Sequence, residues 1–415
     1  ALAGGFAHGE RRSLVNRPAV FRYEDVCRVE TRANGDDGQR ITTDRCRGVL
    51  GMCYISVRRR AFYRQIRHLS LEWKSYSQVA IHGVVGGIDV HYPGYISFPR
   101  AILLASSGNR VYRGIKRLVD EISHEFRFDL IHAHMALPDD YAGMFVSMAY
   151  QKPSVATFQA TDIDITVNRS KDCLRVLRKV FSHANRVIAP SPRLAKVVAA
   201  KFSIEPIIIG NGVDINDVFT KESDLLLNYK GRRIILSVSR LIPTKGIELD
   251  IFAVKRLIDT YENLLYLVVG DGLGKNTLEQ LTSSLNLTKH VRFVGQVPHV
   301  KVMEYMDSCE VFTLPSWQET FGLVYVEAMA HSKPVVGVQG QGIDGIVEHG
   351  KTGMLVQPRD VDSLVEALDF FLSHPEEAKA MGERGRRLVW ENYTWEKNAE
   401  KTIAVYEDVL KHAGR

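Results

Sequence analysis

From Gln78 onward, short apolar runs alternate with longer stretches in which apolar residues recur every three or four positions. Residues 87–92, 130–134, 154–158, 186–190 and 206–209 read as strands, and 110–125, 141–150, 174–181 and 194–202 as the helices between them. A polar stretch, 211–232, separates this series from a second one. There the strands fall at 234–238, 264–269, 291–293, 311–314, 334–338 and 353–356, with helices such as 249–260 and 278–285 between. Strands rich in Val and Ile that alternate with helices predict parallel sheets covered on both faces, hence an α/β protein. The simplest architecture is two doubly wound halves. Ligands of such sheets bind beyond the carboxyl ends of the strands, so the cleft between the halves is the expected site. Residues 395–411 read as a closing amphipathic helix.

Charge changes the picture at one end only. Residues 1–75 carry 14 Arg and one Lys against eight acids, a net +7, whereas the remainder is almost neutral. This segment holds three of the five Cys and shows no strand-helix rhythm until about Val57. It reads either as a diverged or truncated first unit or as sequence from another frame. Residues 58–69 place Phe62, Ile66, Leu69 and, one turn on, Trp73 on one helical face with Arg around it. Residues 58–73 are therefore a candidate contact for an anionic membrane surface. No run of about 18 apolar residues spans a bilayer. Residues 1–10 lack the features of a signal peptide, and the scattered Cys give no metal framework. The expectation is a cytoplasmic protein, peripheral at the inner face of the plasma membrane at most. No motif supports nucleic-acid binding.

Two segments carry chemistry. In Ser316-Trp317-Gln318-Glu319-Thr320-Phe321-Gly322-Leu323 a strand feeds a turn, and a helix starts near Phe321 or Gly322. The free amides of Phe321, Gly322 and Leu323 would suit phosphate oxygens. Glu319 precedes this helix and Glu327 lies inside it. Eight residues of helix rise about 12 Å, so the two carboxylates suit the two ends of an extended ligand rather than one bond. In the second segment Arg240 follows a strand, and Lys245 ends the next loop. A planar fork and a point charge at that place suit a diphosphate.

Together with LVVGDG at 267–272, RFVGQVP at 292–298 and GKTGMLV at 350–356, these two segments resemble retaining glycosyltransferase family 4. The resemblance spans about 180 residues in the family's order and runs more weakly back to about Gly83. It implies the GT-B fold, two Rossmann-like domains: residues 1–210 on the acceptor side, 211–395 binding a nucleotide-sugar, and a helix at 396–415 packing back on the first domain. It implies transfer of a sugar, with retention and without a metal or other cofactor, from a UDP-sugar or alternatively a GDP-sugar to a glycan or lipid-linked hydroxyl. Arg240 and Lys245 would hold the diphosphate, the amides around Gly322 and Leu323 its oxygens, Glu319 the sugar hydroxyls, Glu327 the ribose, and the backbone of Val294 the base. On the donor-sugar side of the first domain it points to Gln159, Asp162 and His134. Gln159 stands where relatives often carry His, which keeps a hydrogen bond but not a titration near neutral pH. Hence a donor-cleaving epimerase and a catalytically impaired nucleotide-binding or membrane-binding scaffold are the competing readings.

Three other patterns mislead. The literal G-x-x-x-x-G-K-T at 345–352 needs a helix at Lys351-Thr352 to be a phosphate loop, and a strand is expected there instead. Asp162-Ile163-Asp164 mimics a metal-binding D-x-D, and His132-Ala133-His134 a metal pair without a third ligand.

Overall fold

The computed structural model describes residues 19–22, 51–55, 58–61, 81–85, 88–98, 101–218 and 229–413. They form two compact units. One runs up to Ile188 and includes Val198–Ile207 and the chain from Ala404. The other comprises Ala189–Val197 and Ile208–Ile403.

The first unit is built on strands β1 (Ala19–Arg22), β2 (Gly51–Ile55), β3 (Arg58–Ala61), β4 (His82–Val85), β5 (Ile88–His91), β6 (Gly94–Ser97), β7 (Leu130–His134), β8 (Ser154–Thr157), β9 (Arg186–Ala189) and β10 (Ile207–Ile208). Its main sheet has the order β10-β9-β8-β7-β1-β2-β5-β4, and β3 pairs with β6 apart from it. The run β7, β8, β9 is parallel, as the alternating pattern demands, but β1 lies antiparallel to both β7 and β2. The sheet thus reaches into the Arg-rich segment, where the apolar pattern gives no strand.

One expectation fails here. Residues 58–61 are strand β3, paired parallel with Gly94–Ser97, and not the first turn of an amphipathic helix. Phe62, Ile66, Leu69 and Trp73 lie outside the described residues.

Helices α1 (Ser107–Glu125), α2 (Tyr141–Tyr150), α3 (Lys171–His183) and α4 (Pro192–Phe202) connect these strands. Helix α1 buries Val111, Ile115, Val119 and Ile122, a stripe with steps of four, four and three. Each such side chain contributes roughly 1.5–3 kcal/mol when fully buried.

The second unit follows the sequence pattern closely. Strands β11 (Arg233–Val238), β12 (Leu264–Val269), β13 (Val291–Gly295), β14 (Val311–Thr313), β15 (Val335–Val338) and β16 (Met354–Val356) are joined or followed by α5 (Ile247–Leu257), α6 (Lys275–Ser284), α7 (His299–Ser308), α8 (Leu323–Ala330), α9 (Val361–Ser373) and α10 (Pro375–Asn392), and α11 (Trp395–Ala413) passes at Ala404 into the first unit. All pairings are parallel, in the order β13-β12-β11-β14-β15-β16. Every residue of β12 is buried, which is why it reads as a continuous apolar run rather than an alternating one. The order runs outward in both directions from β11 and β14, so the topological switch point lies between their carboxyl ends.

Candidate active site

Register decides which loops meet. Ile235 pairs with Val311 and Leu236 with Phe312, so the chain leaving β11 and the chain leaving β14 emerge side by side. The first loop carries Arg240 and Lys245, the second Glu319. Backbone contacts tie them: Thr244 O accepts from Trp317 N at 3.1 Å and from Ser316 Oγ at 3.1 Å. Gly246, at φ 72°, completes the join, because a Cβ there would stand 2.4 Å from Pro315 O.

Lys245 Nζ lies 2.6 Å from Glu319 Oε2, with the two side chains 17 % and 14 % exposed. Glu319 is held further by Gln341, whose Oε1 accepts from Glu319 N at 3.2 Å. Arg240 is exposed beside this pair in sequence but makes no ion pair with it. The structure therefore brings together Lys245 and Glu319, with Arg240 on the same loop as Lys245.

Helix α8 begins later than the sequence pattern suggests. Gly322 is its N-cap, in the left-handed conformation at φ 81°, and Leu323 is the first helical residue. Phe321 is 2 % exposed, with its ring in the core, so the amides at the helix mouth are those of Leu323 and Val324. Tyr325 N is already bonded to Gly322 O at 2.9 Å. Glu327, one turn inside, is 7 % exposed and pairs with His299 Nε2 at 3.1 Å.

Val294 sits at a register shift: Val268 pairs with Phe293 and Val269 with Gly295, so Val294 is skipped in the ladder. Such bulges detach a residue's backbone from the sheet and re-aim it. Below the loops, Asp250 on α5 is fully buried. It accepts from Tyr266 Oη at 2.8 Å, Ser237 Oγ at 3.2 Å and Thr313 Oγ1 at 2.9 Å. This one carboxyl joins β11, β12 and β14, and on β11 and β14 it does so just before the site loops leave them. Burial outweighs these three bonds and pushes its pKa up to about 7.

In the first unit, Asp162, expected on the donor-sugar side, is engaged by the backbone. It is 1 % exposed, and it accepts from the backbone N–H of Gln159 at 2.9 Å, Ala136 at 3.0 Å and Leu137 at 3.4 Å. It clamps the loops after β7 and β8 together. Burial raises its pKa to about 6, against the pull of those three donors. Gln159 is half-buried at the start of the clamped loop.

His132 is a core residue, with Nδ1 2.6 Å from Tyr406 Oη of α11 and Nε2 2.7 Å from Thr157 Oγ1. Desolvation, then the neighbouring His134, holds its pKa well below the usual value. His134 packs 4.2 Å from it, centroid to centroid, and burial lowers its pKa to about 4. Both rings are thus neutral at pH 7. The G-x-x-x-x-G-K-T match fails as a phosphate loop, since Lys351 and Thr352 lie in a turn that leads into β16.

A model of group 1 glycosyl transferases matches residues 218–388, and one of glycosyltransferase family 4 matches 69–217. The chain belongs to glycosyltransferase family 4. This glycosyltransferase is 26 % identical to an uncharacterized glycosyltransferase of Methanocaldococcus jannaschii, over 72 % of this chain and 82 % of that one. It is 32 % identical to the GDP-mannose-dependent alpha-(1-6)-phosphatidylinositol monomannoside mannosyltransferase of Mycolicibacterium smegmatis, over 40 % of this chain and 45 % of that one. Among solved structures, HepE of Anabaena, in complex with UDP, aligns with a TM-score of 0.65 at 22 % identity, covering 77 % of this chain and 86 % of HepE. That likeness establishes the GT-B fold.

Two residues that contact the candidate site's glutamates escape the sequence reading. Gln341 reaches Glu319 from beyond β15, and nothing local marks it. His299 was within reach: it directly follows the RFVGQVP segment and opens a helix, a place where side chains project beside strand ends.

Proposed function

We propose that this glycosyltransferase moves a sugar, with retention and without a metal, from a nucleotide-diphosphate sugar to a hydroxyl of a glycan or lipid-linked acceptor. The observation that carries the proposal is the Lys245–Glu319 pair, 2.6 Å apart at the switch point, with Lys245 on the loop that carries Arg240 and Glu319 on the loop that leads into α8. In this reading the second domain, residues 211–395, takes the donor and the first, 1–210, the acceptor. Arg240, Lys245 and the amides of Leu323 and Val324 bind the diphosphate, Glu319 the sugar hydroxyls, Glu327 the ribose and the backbone at Val294 the base. HepE is in complex with UDP and the Mycolicibacterium relative is GDP-mannose-dependent; here UDP-sugar is the favoured donor and GDP-sugar the second.

The chemistry follows from the charge. As the bond between the anomeric carbon and the diphosphate oxygen breaks, negative charge grows on the leaving group. Fixed cations and helix amides aimed there lower the barrier, the task a divalent ion performs in other sites. The acceptor oxygen bonds to the anomeric carbon from the same face, and its proton passes to the departing diphosphate. No side-chain nucleophile is required.

The test is a transfer assay with UDP- and GDP-sugars in the presence of EDTA, reading product configuration by NMR. Arg240→Ala and Glu319→Ala should each reduce transfer at least a thousandfold. Full activity in either variant, or an inverted product, overturns the proposal.

A further inference from the structure

His299 and Glu327 form a unit that the sequence motifs do not contain. The imidazole of the first residue of α7 meets the carboxylate of a helix that follows it by way of β14, at 3.1 Å. Their side chains are 19 % and 8 % exposed, so the contact is sheltered from solvent. Glu327 rises from α8, a helix buried on most of its length, and a bare carboxylate there would be free to rotate about its terminal torsion. The bond to Nε2 fixes that torsion. The contact is made to Oε1, so it orients the carboxylate from one side.

The position of His299 in the chain adds a second point. Four residues separate it from the bulged Val294, and the segment between them is a short loop ending at Pro298, the N-cap of α7. One loop therefore runs from the backbone assigned to the base to the side chain that holds the carboxylate assigned to the ribose.

We propose that His299 is a positioning residue for ribose recognition: it donates Nε2–H to Glu327 Oε1 and aims that carboxylate at the ribose diol of the donor. The inference rests on the assignment of Glu327 to the ribose. Its loss makes the enzyme indifferent to the diol, rather than merely weaker. A structural role would lower affinity for every nucleotide alike.

The experiment is calorimetric titration of the full chain with UDP and GDP and with their 2′,3′-dideoxy counterparts, for wild type, His299→Ala, His299→Gln and Glu327→Ala. Thermal melts establish that each variant is folded. His299→Ala should weaken binding of the preferred ribonucleotide about tenfold, the worth of one charge-assisted hydrogen bond, while binding of its dideoxy form stays within twofold. His299→Gln, whose amide can still donate, should recover most of the discrimination. Donor KM should rise in His299→Ala with kcat little changed. If His299→Ala discriminates as wild type does while Glu327→Ala does not, the inference is wrong and the ribose assignment stands. Should wild type itself ignore the diol, or Glu327→Ala still discriminate, the ribose assignment falls and the inference with it.

Discussion

Removing either half of the Lys245–Glu319 pair separates two quantities that the geometry holds together. At 2.6 Å and an effective dielectric of about 20, the gross attraction is roughly 6 kcal/mol. Most of this is offset by desolvation. Breaking a fully buried pair by removing one partner costs about 3–5 kcal/mol, an exposed one about 0.2–1. With side chains 17 % and 14 % exposed, the pair lies between the two limits, so each single Ala variant should lose about 2 kcal/mol. For a domain of this size, that is a fall of roughly 4–8 °C in apparent Tm. The double variant leaves no uncompensated charge and should lose little more than either single one, giving a coupling of about 1–2 kcal/mol. Catalysis should behave otherwise. If both side chains contact the donor as proposed, Lys245→Ala and Glu319→Ala each remove such a contact, and the double variant should stay inactive although it is scarcely less stable than either single variant. The assays are thermal melts and steady-state transfer on all four proteins. Additive stability losses would refute the energetic reading of the pair. Recovered turnover in the double variant would refute its placement on the donor.

Gly246→Ala should displace the Lys245 loop, because the new Cβ meets Pro315 O at 2.4 Å at a φ that L residues seldom adopt; transfer should fall at least tenfold with a Tm loss of several degrees, and wild-type kinetics would contradict the join described above. Asp250→Asn tests the buried carboxyl. With a folded pKa of about 7 against 3.8, the native state binds the extra proton, so this group's contribution to stability is full below pH 3.8 and declines as pH rises to about 7. The wild-type minus Asn stability gap from urea titrations should shrink by roughly 2–3 kcal/mol between pH 5 and 8; a constant gap would count against it. Tyr406→Phe leaves the buried Nδ1 of His132 without its 2.6 Å partner and should cost about 1–2 kcal/mol, measured by denaturation.

The second unit was legible because its sheet obeys one rule throughout. Parallel strands buried on both faces leave unbroken apolar runs, and helices between them leave a stripe, so β12 and α5 could be located to within a few residues. The first unit breaks that rule at β1, which runs antiparallel between β7 and β2 and sits in an Arg-rich stretch. A four-residue strand contributes too few positions for a period to emerge. The Arg58–Ala61 misreading has the same origin, since spacing of three and four also arises by chance in a short charged segment. At the site, Arg240, Lys245, Glu319 and Glu327 could be singled out because each follows a strand end or helix start. Asp162 could not be told from a ligand-facing acid, since its partners are backbone amides that leave no trace in sequence. Gln341 and the Asp250 network are contacts across 13 to 63 residues, and only the folded register assembles them.

What the site shares, from Asp250 upward, is that its charges are placed by contacts that do not involve a ligand. Asp250 joins three strands, Thr244 O receives the second loop's backbone, and Gln341 and His299 each hold one of the two glutamates. A donor that met these groups on mobile loops would have to order several long side chains, at about 0.5–1.5 kcal/mol each. Here that entropy is lost on folding instead. Binding energy from the remote parts of the donor can then be expressed where the leaving diphosphate gathers charge, which is where it accelerates transfer. The same reasoning accounts for the buried, pKa-shifted Asp250 in a position that never reaches the reactants: a charged or half-charged group is tolerated under the sheet because three hydroxyls from three elements converge on it. Replacing that cluster by apolar residues would leave the strands packed, but the loops above them would lose the common anchor that keeps Lys245 within reach of Glu319.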